Sequence, residues 1–161
     1  MDAKTVLEKT PFFADILIDD DIAALAAAAK RHDYDKDSII VREHDSGESL
    51  FIVVHGAVTV STRDSGAARR VTTLHDGAIV GEMSLLTGAA RAATVTALRP
   101  TVTLEIDKAG LAPILARSPD LADRFATMVD ARKEELEDLH GTHWFPSAGA
   151  LAARIRSFFA G

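Results

Sequence analysis

The 161-residue chain contains no cysteine. Disulfides and thiolate chemistry are therefore excluded, and such a chain suits a reducing compartment. No apolar run approaches the ~20 residues of a membrane-spanning helix. No basic leader with an apolar core opens the sequence, so secretion is not expected. Basic charge is scarce: 18 Lys and Arg stand against 24 Asp and Glu, a net charge of -6. That balance argues against a nucleic-acid surface, but a single pocket can still be locally positive and take a small anion. His-x-His is missing too. His32, His44, His55 and His75 are scattered, and His140 and His143 are three apart at the expected end of a helix, which argues against metal catalysis. No Ser-His-Asp arrangement can be argued from the order of the residues. No repeat of solenoid length is visible.

What remains is the length of one domain with a tail. The 47% apolar and 26% charged content is ordinary for a globule. Residues 3 to 13 predict a short helix ending near Pro11-Phe12-Phe13. Asp19-Asp20-Asp21 supplies an N-cap and first-turn acids for a second helix, with Ile22, Leu25, Ala26 and Ala29 at helical spacing. Lys30-Arg31-His32 suits the C-terminal end of that helix.

After Asp37 the pattern becomes β-rich. Ser38 to Arg42, Leu50 to Val54, Ala57 to Thr62 and Arg70 to Leu74 read as strands. So do Thr94 to Leu98 and Thr101 to Ile106, with turns at Asp45-Ser46-Gly47, His55-Gly56, Arg63 to Gly66 and Asp76-Gly77. Short strands at this spacing suggest a sandwich or barrel. Asp107 then reads as the N-cap of a helix through Leu111, Ile114 and Leu115. Ser118-Pro119 reads as N-cap and N1 proline of a long helix to about Leu139, which Gly141 stops. Arg132 interrupts that helix's apolar stripe of Leu121, Phe125, Met128, Leu136 and Leu139. It reads either as a snorkelling side chain or helix-helix partner, or as a cation facing a ligand under the helix. The last segment, 140–161, has two arginines, two histidines and no acid. Leu151, Ile155, Phe158 and Phe159 fall on one helical face, so a docking helix is expected, with a membrane-surface helix as the alternative. It is too short for a helix-turn-helix DNA reader.

The most informative stretch lies mid-chain, Gly81-Glu82-Met83-Ser84-Leu85-Leu86-Thr87-Gly88-Ala89-Ala90-Arg91-Ala92-Ala93-Thr94. Glycines let the backbone turn tightly or approach another group closely. A helical turn begun after Gly81 presents unpaired N–H groups to an anion. Arg91 can add a bidentate, charge-assisted bond, and Glu82 can accept from a hydroxyl. Donors for an anion beside an acceptor for a hydroxyl are what a sugar phosphate needs.

This string resembles the phosphate-binding cassette of the cyclic-nucleotide-binding domains, and Glu48-Ser49-Leu50-Phe51-Ile52 with Gly56 and Val58-Thr59-Val60 resembles the family's strand pair. The resemblance covers about residues 10 to 139. It implies an α+β fold: an antiparallel, jelly-roll-like β-roll with N-terminal helices, a short cassette helix and two C-terminal helices. Residues 1–139 would be the binding domain and 140–161 a tail with a short amphipathic helix. It also implies that Glu82 holds the ribose 2′-hydroxyl, and that Arg91 and the amides around Met83 and Ser84 hold the cyclic phosphate, with Gly81 permitting the approach and Ala92 nearby. Val71 to Thr73 (Val71, Thr72, Thr73) and Ile79-Val80 would wall the base pocket. The long helix would close over the purine, with Arg132 as a contact.

No metal or cofactor is implied, only the ligand, cAMP or cGMP. Ala92 stands where a threonine in cGMP-favouring members bonds the ligand, which tilts the expectation to cAMP. The family often has glycine where Asp37 and His44 stand. Asp tolerates a left-handed conformation; His44 does so less easily, but lies far from the cassette in sequence. The tail from Leu151 to Phe159 is similar to the end of bacterial channels carrying such a domain. The chain is thus expected to be a non-enzymatic, cytoplasmic sensor within a larger membrane or signalling protein. The long helix's stripe can serve a homo-oligomer or cover the ligand. The alternatives are a degenerate roll acting as an interaction module and a cupin-like metal enzyme.

Overall fold

The continuous apolar run of Ser49–His55 has no polar alternation because both its faces are covered. The rest of the molecule is arranged about this strand, β3. The structure, a computed structural model, describes residues 1–63, 70–132 and 147–160. Two four-stranded antiparallel sheets face each other. One runs β1 (Lys30–Tyr34), β8 (Thr101–Asp107), β3, β6 (Ile79–Val80). The other runs β2 (Ile39–Val41), β7 (Thr94–Ala97), β4 (Ala57–Thr62), β5 (Arg70–His75). Among the described residues seven helices flank them: α1 (Ala3–Glu8), α2 (Pro11–Ala14), α3 (Asp19–Ala28), α4 (Glu82–Thr87), α5 (Lys108–Arg117), α6 (Leu121–Ala131) and α7 (Ala148–Ala160). This is the α+β β-roll that the resemblance implied. Among the described residues no helix is long and apolar enough to cross a membrane.

Alternation along β3 divides the apolar interior in two. Leu50 and Ile52 join a large cluster with the helices, including Leu7, Phe13, Leu25, Leu111 and Phe125. Phe51 and Val53 turn the other way and meet Val58, Val60, Val80, Ala93 and Val95 inside the roll. The α7 residues Leu151, Ala152 and Ile155 are buried in the first cluster, so the segment set apart as a tail packs into the main core over its described residues.

Several local expectations are corrected. Lys30-Arg31-His32 does not end a helix: α3 stops at Ala28, and Lys30 to Tyr34 pair antiparallel with β8. The pairing satisfies the edge of β8, and His32 meets Glu105 across it at 2.9 Å. The first helix is two, broken at Lys9-Thr10, with Pro11 at the start of the second. Asp19, Asp20 and Asp21 all lie in the first turn of α3 and none caps it; acids there still oppose the helix dipole. Asp21 is buried and accepts a 2.6 Å bond from Arg117. The helix predicted from Ser118 to Leu139 begins at Leu121 and ends at Ala131. The chain enters it through i→i−3 bonds, Leu121 N–H to Ser118 and Ala122 N–H to Pro119, a turn tighter than an α-helix. Residues 133–139 and the Gly141 stop lie outside the described residues, as does most of the Arg63–Gly66 loop. Asp107 does cap α5, accepting from the Gly110 N–H at 2.9 Å.

Candidate ligand-binding site

The cassette helix α4 is six residues long and stands between two left-handed glycines, Gly81 (φ 91°) and Gly88 (φ 72°). A helix this short has no stability of its own. What holds it is burial of Met83, Leu85 and Leu86 in the helix-side core, together with contacts at its two ends. At the first, a Cβ on Gly81 would lie 2.6 Å from Arg91 Nη1 and 2.9 Å from the Ser49 carbonyl. Only glycine fits both the backbone angle and that space. Within the cassette, the Ser84 hydroxyl donates to the Ala89 carbonyl at 2.8 Å and the Thr87 hydroxyl to Met83 at 2.7 Å, fixing the exit from the helix.

Arg91 is 7% exposed. Its Nη1 donates to the Ser49 carbonyl at 2.5 Å and its Nη2 to Ser49 Oγ at 3.0 Å. The guanidinium lies 5.7 Å from the centre of the Phe51 ring. Burial pulls its pKa below the usual arginine value, and the charge of Glu105 acts in the opposite sense. Arginine nevertheless stays protonated in proteins. Its backbone is tied to the loop after β2: the Arg91 N–H donates to Asp45 and the Arg91 carbonyl accepts from His44, both at 2.8 Å. His44, judged remote from the cassette in sequence, is therefore bonded directly to it. His44 (φ 73°) and Asp37 (φ 72°) both take the left-handed conformation that glycine adopts most readily.

One pocket of about 460 Å³, including space open to solvent, is lined by Val80, Gly81, Glu82, Met83, Ser84, Arg91 and Ala92, together with Val41, Val60, Ala90, Ala93 and Val95. Seven of the residues singled out from the sequence thus meet at one wall. Val71 and Thr73 do not. In the β4–β5 register Val60 pairs with Thr72, whereas Val71 pairs with Ser61 and Thr73 with Thr59. Val60 faces the pocket, so its partner Thr72 lies on the pocket side of the sheet and Val71 and Thr73 on the other; all three are exposed and none lines the pocket. Arg132 is not in this wall either. It caps α6 and reaches Glu82, with Nη1 3.5 Å from Glu82 Oε2 and its guanidinium 5.9 Å from the Phe12 ring. Glu82 itself is 2% exposed.

Sequence reasoning missed Ser49 as the partner of Arg91, although it sits inside the quoted Glu48 to Ile52 motif. It also missed Gly47, where any Cβ would collide with the Arg91 guanidinium. Glu105, whose charge acts on Arg91, carried no local signal at all. Among the described residues no three His, Asp or Glu side chains come together as a metal site would require.

A β-roll holding a short helix between two left-handed glycines, with a buried arginine behind it, has the arrangement of a ligand-binding module. The family model for the cyclic nucleotide-binding domain matches residues 31–118. The chain belongs to that family, whose members are regulatory ligand-binding domains and generally non-catalytic. It is 35% identical over 89 residues to a cAMP-dependent protein kinase regulatory subunit of Dictyostelium discoideum, covering 53% of this chain and 27% of that protein. It is 33% identical over 88 residues to a cyclic nucleotide-gated potassium channel of Mesorhizobium japonicum, covering 55% and 23%. Among solved structures, the N-terminal domain of a transcriptional regulator from Streptomyces coelicolor superposes with a TM-score of 0.67 at 27% identity, over 83% of this chain and 93% of that one. The chain spans between about a quarter and a third of the length of the curated relatives it matches.

Proposed function

We propose that this chain is a sensor module that binds a cyclic nucleotide, cAMP in preference to cGMP. The observation that carries the reading is Arg91: a buried guanidinium on the wall of an open pocket, whose hydrogen bonds go to Ser49 and not to a carboxylate. A buried cation gains most from an opposite charge brought into the same low-dielectric space. The guanidinium carries five N–H donors, so donors remain for an anion beyond those given to Ser49.

In the proposed complex Arg91 and the first amides of α4, around Met83 and Ser84, hold the cyclic phosphate. Gly81 keeps the approach open, and Ala92 lies at the rim. Glu82 accepts from the ribose 2′-hydroxyl. Val80 flanks the base, and of the Val71 to Thr73 stretch only Thr72 lies on the pocket side to join it. Ala92 offers no hydroxyl to a guanine, which supports the preference for cAMP. Arg132, now beside Glu82, is the group on α6 that senses whether that carboxylate is engaged by ribose. Closure of α6 and the chain beyond it over the base is the output. Ligand drives it only through its differential affinity for the closed state, and micromolar binding, worth about 8 kcal/mol, is ample for such a shift.

The kinase and channel relatives support placement in a larger cytoplasmic signalling assembly or on the cytoplasmic side of a membrane protein, as a homo-oligomer if α6 pairs with its copy. The binding unit is residues 1–139, with α7 docked upon it.

Titration calorimetry of the chain with cAMP and cGMP tests the reading. Micromolar or tighter binding is expected, stronger for cAMP, and Arg91→Ala should weaken it by a few kcal/mol while leaving the chain folded. No heat with either nucleotide from a folded chain would instead mark a degenerate cassette in an interaction module.

A further inference from the structure

Both glycines that bound the cassette helix receive a group from elsewhere in the chain. At Gly81 it is Arg91. At Gly88 it is the ring of Phe158, on α7: a Cβ on Gly88 would lie 2.6 Å from Phe158 Cε1. The contact is anchored on every side. Lys108 Nζ of α5 sits 4.1 Å from the centre of the Phe158 ring, and Phe159 meets it edge-on at 5.3 Å. One to two turns earlier Leu151, Ala152 and Ile155 are buried in the helix-side core, and Arg156 is ion-paired with Asp123 of α6. The short helix α4 is thus gripped between the arginine at its entrance and a phenylalanine from the far end of the chain.

We infer that Phe158 is a positioning residue for the cassette, and that docking of α7 and occupation of the Arg91 pocket favour each other. The inference deepens the proposed function and, in its ligand-binding arm, rests on it. A six-residue helix has no stability of its own; buried Leu85 and Leu86 seat its body in the core, and Phe158 fixes the end at Gly88. Whatever fixes its C-terminal end therefore also fixes the amides and Glu82 at its N-terminal end. Fixing a binding element in its receptive geometry beforehand raises affinity. The effect is reciprocal, so a ligand that orders α4 also secures α7. In this way the last helix carries the state of the pocket to whatever the chain adjoins.

The test uses the full chain with Phe158→Ala and, as the conservative variant, Phe158→Leu. Hydrogen exchange of the amides of residues 82–88 is followed without ligand, and cAMP affinity is measured by calorimetry. Phe158→Ala should speed exchange in α4 while β3 and β8 keep their protection, and should weaken cAMP binding about tenfold, within the usual range of intramolecular coupling. Phe158→Leu should recover most of both. Saturating cAMP should slow exchange in α7 of the parent chain. Unchanged exchange in α4, or unchanged or tighter cAMP binding by Phe158→Ala, overturns the inference. If Phe158→Ala fails to fold, the leucine variant decides by the same readouts, with smaller shifts. If the parent chain binds neither cAMP nor cGMP, the proposed function fails, while the ligand-free exchange arm still decides whether Phe158 holds the cassette.

Discussion

Strand β3 turns Leu50 and Ile52 toward the helices and Phe51 and Val53 toward the inside of the roll. The two sides are filled differently. On the helix side Phe13, Leu25, Phe125 and Ile155 have no exposed surface, and Phe125 lies 5.4 Å and 6.2 Å from the rings of Phe12 and Phe13. Inside the roll the buried side chains are mostly valines, and Val60, Val80, Ala93 and Val95 border the open pocket. One strand therefore joins a close-packed core that holds the molecule together to a thin one left open for a ligand.

The sharpest way to test that contrast is Phe125→Ala. It should cost about 3–5 kcal/mol of stability in denaturant unfolding, as ring deletions from filled cores do. A loss under about 1 kcal/mol would mean that the helix side is not the stabilising half. Next comes the same deletion made on both sides. Val129→Ala removes about two methylene equivalents from the helix side, worth about 1.6 kcal/mol. Val60→Ala should cost less than half as much, because the space it leaves merges with a pocket already open to water, yet it should alter cyclic-nucleotide affinity where Val129→Ala does not. Equal losses would erase the distinction.

The smallest effect is expected at the far end of the roll. Asp76 accepts from the Gly56 N–H at 2.8 Å, and that bond, aided by His55 and Arg99, holds its pKa below the usual carboxylate value. A lowered folded pKa contributes stability above the normal carboxylate range, lost as pH falls through the folded value. The Tm gap between the parent chain and Asp76→Ala should thus be constant near neutrality and close below about pH 4. A gap independent of pH would remove the charge from the explanation.

The wall of the site around Arg91 was legible in the sequence because it is local. Gly81, Glu82, Met83, Ser84, Arg91 and Ala92 are close neighbours in the chain, and backbone conformation alone brings them to one pocket. What required pairing across the fold was not legible. Choosing Thr72 over Val71 and Thr73 needs the β4–β5 register. Seeing Arg132 at Glu82 needs the packing of α6. Ser49 and Glu105 reach Arg91 from strands far away in sequence. The strands themselves were read well where they are apolar, and β1 was missed because Lys30-Arg31-His32-Asp33 looks like the polar end of a helix.

That charged strand has a consequence for how the molecule is made. Its partner β8 begins only at Thr101, so at about 5–20 residues per second of synthesis β1 waits seconds before its pairing can form. Long-range pairing of this kind also sets a slow folding rate. During the wait an apolar strand would be a template for pairing with other chains. Lysine, arginine and aspartate along an unpaired edge discourage such pairing. The polarity that disguised β1 in the sequence thus serves as protection for the nascent chain.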